Sequence, residues 1–264
     1  MADAKATVLI PYYGERLTQL RRSLWLLERQ TTPVRVVLAD DGRWLPPDFR
    51  LDEPHTIFRA RDRGLPRIVN ATIRAAWSKV ETDYAIISHP ENMPPLDAVE
   101  RMMTQHVPGQ RDVPIVYGID RHTTMRLDEY PWKTDFDCLT RVPGFMDWHN
   151  PLLHANSEAK NNCHHINFSG AYRWEWERFD PRVLPEDASP FRSEDWLRHQ
   201  EVKARAFPRQ VPDGLFVYHQ WHPLIDWLLG RNPIEVEPPR DTETPAPHVA
   251  RSTASAEENR RTYG

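Results

Sequence analysis

Residues 83–95 read Asp-Tyr-Ala-Ile-Ile-Ser-His-Pro-Glu-Asn-Met-Pro-Pro, a short apolar run that ends directly on a histidine and a carboxylate. An uninterrupted apolar stretch of this length, bounded by Pro, has the pattern of a strand buried on both faces. Three readings are open for His89 and Glu91: a metal site, a turn, or the altered form of a familiar strand-end motif. The elements on either side decide among them.

Upstream, residues 6–10 (Ala-Thr-Val-Leu-Ile) form a second continuous apolar run, which we expect to end at Pro11. Leu17, Leu20, Leu24 and Leu27 then recur at helical spacing and put one apolar stripe on residues 15–30. Residues 34–40 (Val-Arg-Val-Val-Leu-Ala-Asp) and 55–58 (His-Thr-Ile-Phe) are the next strand candidates. Residues 66–80 have a helical pattern with Pro66 in the first turn, and residues 96–106 have another after the 83–88 strand. Strands alternating with helices in this order predict a doubly wound α/β sheet, whose ligands bind beyond the carboxyl ends of the strands. Pro11, Asp40, Asp41, His89 and Glu91 all fall at such ends.

Past residue 120 the periodicity weakens. Residues 121–165 are rich in turn formers, aromatics and histidines, as an irregular substrate-covering region would be. Residues 193–207 have the pattern of a helix opened by Ser193 with Glu194 and Asp195 in its first turn, and residues 214–219 that of a strand. Residues 233–264 have almost no large apolar side chains, so we expect one domain over 1–232 followed by a Pro-rich disordered tail over 233–264.

With 264 residues, 39% of them hydrophobic, the chain can bury a substantial core. A formal net charge of -4 with mixed signs provides no strong field for nucleic acid or anionic membrane, although a local basic patch stays open. Cys138 and Cys163 are the only cysteines, so no disulfide framework is implied. No apolar run approaches the roughly 20 residues that span a bilayer, and we expect a cytoplasmic protein with no membrane span.

The strand ends resemble those of the family 2 glycosyltransferases and their GT-A-fold relatives. That family opens on a strand ending in a Pro-Thr-Tyr-Asn-like turn, and here the sequence is Pro11-Tyr12-Tyr13-Gly14-Glu15. Its second strand ends in Asp-Asp-Gly-Ser, matched by Asp40-Asp41-Gly42-Arg43. Gly64, Arg67 and Asn70 occupy the region that precedes the family's Asp-x-Asp strand, and His89-Pro90-Glu91 then stands in the Asp-x-Asp position. Further on, residues 167–181 resemble an acceptor-side segment in which a small-residue turn leads into a strand. Glu194-Asp195 resembles the acidic pair that opens a helix near the sugar, and His219 or His222 a late histidine of the metal shell.

The resemblance implies a GT-A (Rossmann-like) doubly wound mixed sheet with an irregular acceptor-side region. It also implies transfer of a sugar from a nucleoside diphosphate, a UDP-sugar first of all, to a hydroxyl acceptor that can be glycan, lipid, protein, small molecule or nucleic acid. Asp40 would read the base, with Pro11, Tyr12, Tyr13, Glu15, Asp41, Arg67, Asn70 and His89 lining the donor. Asp195 would be the general base, with Glu194 beside it. Glu91, His89 and His219 would hold a divalent cation, Mn²⁺ in preference to Mg²⁺ because imidazole joins the ligand set.

Simpler roles exist for each motif. Asp-Asp-Gly ends strands for backbone reasons alone, His89-Pro90-Glu91 can be a solvated loop, and Glu194-Asp195 a helix N-terminus. His149, His154, Cys163, His164 and His165 fit no closed zinc site and read as part of an acceptor loop. Trp174, Trp176, Trp221 and Trp227 can stack on sugar, although Trp227 reads as core. Two other functions compete: a non-catalytic nucleotide-sugar-binding protein, and a nucleotidyltransferase, which lacks here its Gly-rich phosphate loop after the first strand.

Overall fold

Parallel strands built from apolar runs set the frame. The computed structural model describes residues 3–12, 16–40, 44–59, 69–119, 124–134, 168–179 and 207–220. Within them β1 (Ala6–Tyr12), β2 (Val34–Asp40), β3 (Thr56–Arg59) and β4 (Tyr84–Ser88) lie in the order β3-β2-β1-β4, all parallel. The sheet continues through β8 (Phe168–Tyr172), β6 (Arg111–Asp112) and β9 (Arg209–Gln210), with β8 antiparallel to both β4 and β6. This is the mixed, doubly wound α/β architecture expected from the sequence. A second sheet of order β5-β10-β7 joins β5 (Asn92–Met93), β10 (Phe216–His219) and β7 (Ile115–Gly118).

The two faces of the main sheet alternate as a period of two requires. Val8, Ile10, Val36, Leu38, Tyr84 and Ile86 pack on one face with Leu20, Leu24 and Leu27 of α1 (Leu17–Leu27) and Val99 and Met102 of α3 (Ala98–Gln105). Leu9, Val37, Ala39, Ala85 and Ile87 pack on the other with Ile73 and Ala76 of α2 (Val69–Ala76) and Trp176 of α4 (Arg173–Phe179). Trp176 is therefore a core residue, its indole N–H donating to the Ala85 carbonyl at 2.9 Å. Trp174, two residues earlier and on a different face of the helix, is 51% exposed.

Two expectations need correction. Pro11 lies inside β1 rather than ending it, in register with Ala39 of β2. The β1–β4 pairing stops at Leu9, so the missing proline N–H falls beyond the last pair with β4. Residues 168–172 are a strand leading into a helix, not a turn leading into a strand. Ser169 and Gly170 look like turn formers, but Gly170 is selected by space: a Cβ there would lie 2.6 Å from the Tyr84 hydroxyl and 2.7 Å from the end of Met102. The boundary at residue 232 lies outside the described residues. Among those residues no helix is long and apolar enough to cross a membrane.

A buried polar cluster fastens the amino-terminal end of β4. His106, at the end of α3, has its side chain 2% exposed and bridges two carboxylates, with Nδ1 2.9 Å from Asp112 and Nε2 2.8 Å from Glu175. The Tyr84 hydroxyl and the Gln210 amide also donate to Asp112. Glu175 accepts the backbone N–H of Gly109 at 2.5 Å and of Tyr172 at 3.0 Å. Burial alone would lower the His106 pKa, but the hydrogen bond and charge of Asp112, and then those of Glu175, raise it above its ordinary value. A pKa raised on folding stabilises fully below the unfolded value of about 6.5 and is lost as pH rises through the folded one. We predict that thermal stability falls over that interval and that His106→Gln flattens the slope; an identical pH profile in the variant would remove His106 as its source.

Candidate functional site

Beyond the carboxyl ends of β1, β2 and β4 the chain gathers polar side chains where strand order reverses. β1 sits between β2 and β4, so the connections leave it in opposite directions and open a crevice at its end. Tyr12 and Asp40, both buried, are in register there. Asp40 accepts a hydrogen bond from Arg59 Nη1 at 3.1 Å, and Arg59 Nη2 donates to the Phe49 carbonyl at 3.1 Å. β3 thus holds the orientation of the last carboxylate of β2.

The β4 end is built from both sheets. After Ser88 the chain turns through His89 and Pro90 to Glu91, with the Asn92 N–H bonded to the His89 carbonyl at 3.2 Å and the Asn92 amide to the Ser88 hydroxyl at 3.2 Å. Asn92 then pairs with His219 across β5 and β10. This pairing carries residue 219 back to residue 91: His219 Nε2 lies 3.2 Å from Glu91 Oε1, and His89 Nδ1 lies 3.4 Å from the same oxygen. The structure therefore brings His89, Glu91 and His219 together, as the sequence led us to expect.

Arg16 was not foreseen. Its Nη1 donates to both oxygens of Glu91, at 2.9 and 2.8 Å, and both side chains are 2% exposed. Arg16 is the residue that precedes the first turn of α1, and it makes no side-chain capping bond there. A cation at a helix N-terminus opposes the helix dipole, so its position is explained by Glu91, not by the helix. Gln220 closes the arrangement: its backbone and side-chain N–H groups both reach the Glu91 carbonyl, at 3.0 and 3.2 Å, while its side-chain oxygen accepts from Arg22 at 3.1 Å. Arg22 in turn pairs with Asp128 at 3.2 Å. The sequence signal for Arg16 is a basic residue directly before a first helical turn that contains no acidic residue.

Whether these residues suit a divalent cation follows from their charge. An Asp-x-Asp pair brings two carboxylates; here, among the described residues, one carboxylate is matched by one guanidinium, and two imidazoles stand beside it. Counting the imidazoles as neutral, the formal charge is zero, and both carboxylate oxygens already accept from Arg16. Among the described residues no group of three His, Cys, Asp or Glu is arranged to hold a metal ion. The donor set does not fit a resident divalent cation.

The other anticipated residues are less informative. Tyr13, Glu15, Asp41, Arg67, Glu194, Asp195 and His222 lie outside the described residues, as do the histidines and Cys163 of 149–165 and Trp221 and Trp227. Asn70 lies in α2. Concavities of about 290 and 230 Å³ border residues 47–59, away from Glu91; the first is lined by His55 and Arg59 among others, the second by Trp25 and Asp52 among others. Burial lowers the His55 pKa, and its Nδ1 accepts the Val36 N–H at 3.0 Å, a structural role on the rim of β2.

No family model matches the chain, and no curated protein matches it. Among solved structures it is similar to S. aureus TarS 1-349, at 16% identity and a TM-score of 0.49, over 82% of this chain and 60% of that one.

Removing one partner of a buried ion pair leaves the other charge uncompensated, at a cost of about 3–5 kcal/mol. Arg16→Met should lose stability on that scale, and Glu91→Gln in the same chain should recover most of it. Urea unfolding of the two single variants and the double variant measures this; additive losses would mean that the two side chains are energetically independent.

Proposed function

We propose that the chain is a glycosyltransferase that moves a sugar from a nucleoside diphosphate, UDP in the first place, to a hydroxyl acceptor. The observation that supports this best is the joint placement of Tyr12 and Asp40 on the last residues of β1 and β2 with His89 and Glu91 just beyond β4, at the reversal of strand order where α/β sheets bind nucleotides. The motif resemblance along the sequence points to the same residues.

In this reading Asp40, oriented by Arg59, accepts the N–H of the base, and the β1 end with Pro11 and Tyr12 borders the nucleoside. The diphosphate faces the turn of His89 and Glu91. Asp195 takes the proton of the acceptor hydroxyl as that oxygen attacks the anomeric carbon and the diphosphate leaves; Glu194 orients the acceptor. Departure requires that charge developing on the leaving group be met by donors already in place.

The test is donor turnover by the full chain. Incubated with a panel of nucleotide sugars, the protein should release UDP from one of them, slowly with water and faster with acceptor. Asp40→Ala should weaken UDP binding in calorimetry by roughly tenfold or more, the scale of a lost charge-assisted hydrogen bond. Unchanged affinity in the folded variant would remove Asp40 from the base site. Asp195→Asn should keep donor binding and lose transfer by about 10² or more, since an amide cannot accept the proton. Should Glu194→Gln abolish transfer while Asp195→Asn does not, the two roles are exchanged. Binding of UDP-sugar with no turnover on any acceptor would favour a binding protein over an enzyme.

A further inference from the structure

We infer that the strand end carrying His89, Glu91 and His219 works without a divalent cation, because the chain itself supplies the countercharge in Arg16. Glu91 is then a positioning residue: a buried carboxylate whose charge is balanced from α1 and whose Oε1 lies beside one nitrogen of each imidazole. His89, its side chain 22% exposed, is the member of the cluster nearest solvent and the one able to meet an anion.

Three observations carry this. Both oxygens of Glu91 accept from the same guanidinium nitrogen, so a cation at either oxygen would sit beside a fixed positive charge. A guanidinium does not deprotonate in proteins, so that charge cannot be withdrawn to admit a metal. And the Arg16 position is fixed from behind by α1, whose next turns are tied to the same turn: Gln19 through its carbonyl to Gln220 at 3.3 Å, and Arg22 through the Gln220 side chain at 3.1 Å. Swinging the Arg16 side chain aside would leave Glu91, 2% exposed, without the guanidinium that compensates it. Where a carboxylate pair attracts a metal, which then meets the diphosphate, this chain keeps one carboxylate, cancels it, and leaves the anion to protein donors. The identity of that anion rests on the donor reading above; the charge assignment rests on the ion pair alone.

The deciding experiment is a titration of the full chain with Mn²⁺ alone, followed by electron paramagnetic resonance. Wild type should show no site tighter than about 1 mM, the weak end of protein-bound divalent cations. Arg16→Gln, which exposes the Glu91 charge beside two imidazoles, should gain Mn²⁺ affinity at least tenfold, Arg16→Lys should not, and Arg16→Gln with Glu91→Gln should lose the gain. One Mn²⁺ bound per wild-type chain at micromolar concentration, and lost in Glu91→Gln, would overturn the inference. The wild-type titration needs no variant, so a misfolded Arg16→Gln does not blunt it. A second arm measures UDP affinity by calorimetry in Mn²⁺ and in EDTA. Equal values within about twofold support the inference, and UDP that binds only with Mn²⁺ overturns it. UDP that binds in neither counts against the donor reading, while the Mn²⁺ titration still decides the charge assignment.

Discussion

A carboxylate taken out of water must be matched, and Glu91 is the group around which the second sheet, α1 and the β4 turn are arranged. Isolated, an ionised carboxylate at 2% exposure is untenable. Arg16 answers its charge, Gln220 its backbone carbonyl, and His89 and His219 stand beside its oxygen. The partners come from three separate parts of the chain, so satisfying this one residue holds residues 16, 89, 91, 219 and 220 in one place. Apolar packing brings the elements close; this requirement sets their register.

The second sheet has its purpose in that register. β5 and β10 pair over only two residues each, too few to add much stability as strands. Their pairing nevertheless decides that His219, not Tyr218, stands opposite Asn92. A slip of one residue would turn His219 to the other face and put the Tyr218 side chain in its place. Tyr218 packs instead with Leu26, Met93, Ile119, Leu127 and Trp132 in a small apolar cluster beneath the site, and Trp132 meets Trp25 of α1 edge-on at 5.3 Å. Met93 and Tyr218 of the apolar cluster stand next to Asn92 and His219 along β5 and β10, so one pairing serves both.

The long parallel strands were legible in the sequence because each is dominated by apolar residues; β2 spans the expected residues 34–40 without change. The second sheet was only half legible. β10 follows from an apolar run, but Asn92-Met93 is a two-residue strand with no periodicity to detect, and so is Arg111-Asp112 in the main sheet. Asp40, His89, Glu91 and His219 could be singled out because chemistry-bearing side chains at strand ends have a recognisable position. Arg16 and Gln220 could not, because their importance comes from what folds against them, over sequence separations of 75 and 129 residues. Ser169-Gly170 misled for the complementary reason: glycine there answers the tight approach of Tyr84 and Met102, a constraint that no local pattern contains.

β4 also shows why the choice of countercharge matters. At its amino-terminal end Asp112 and Glu175 are matched by an imidazole, which can give up its proton; at its carboxyl end Glu91 is matched by a guanidinium, which cannot. The first kind of compensation weakens as pH rises through the raised His106 pKa. The guanidinium of the second keeps its charge across that same interval. At the carboxyl end the countercharge nearest Glu91 is permanent, so the Arg16–Glu91 contact does not depend on the proton that His106 holds at the other end of the strand.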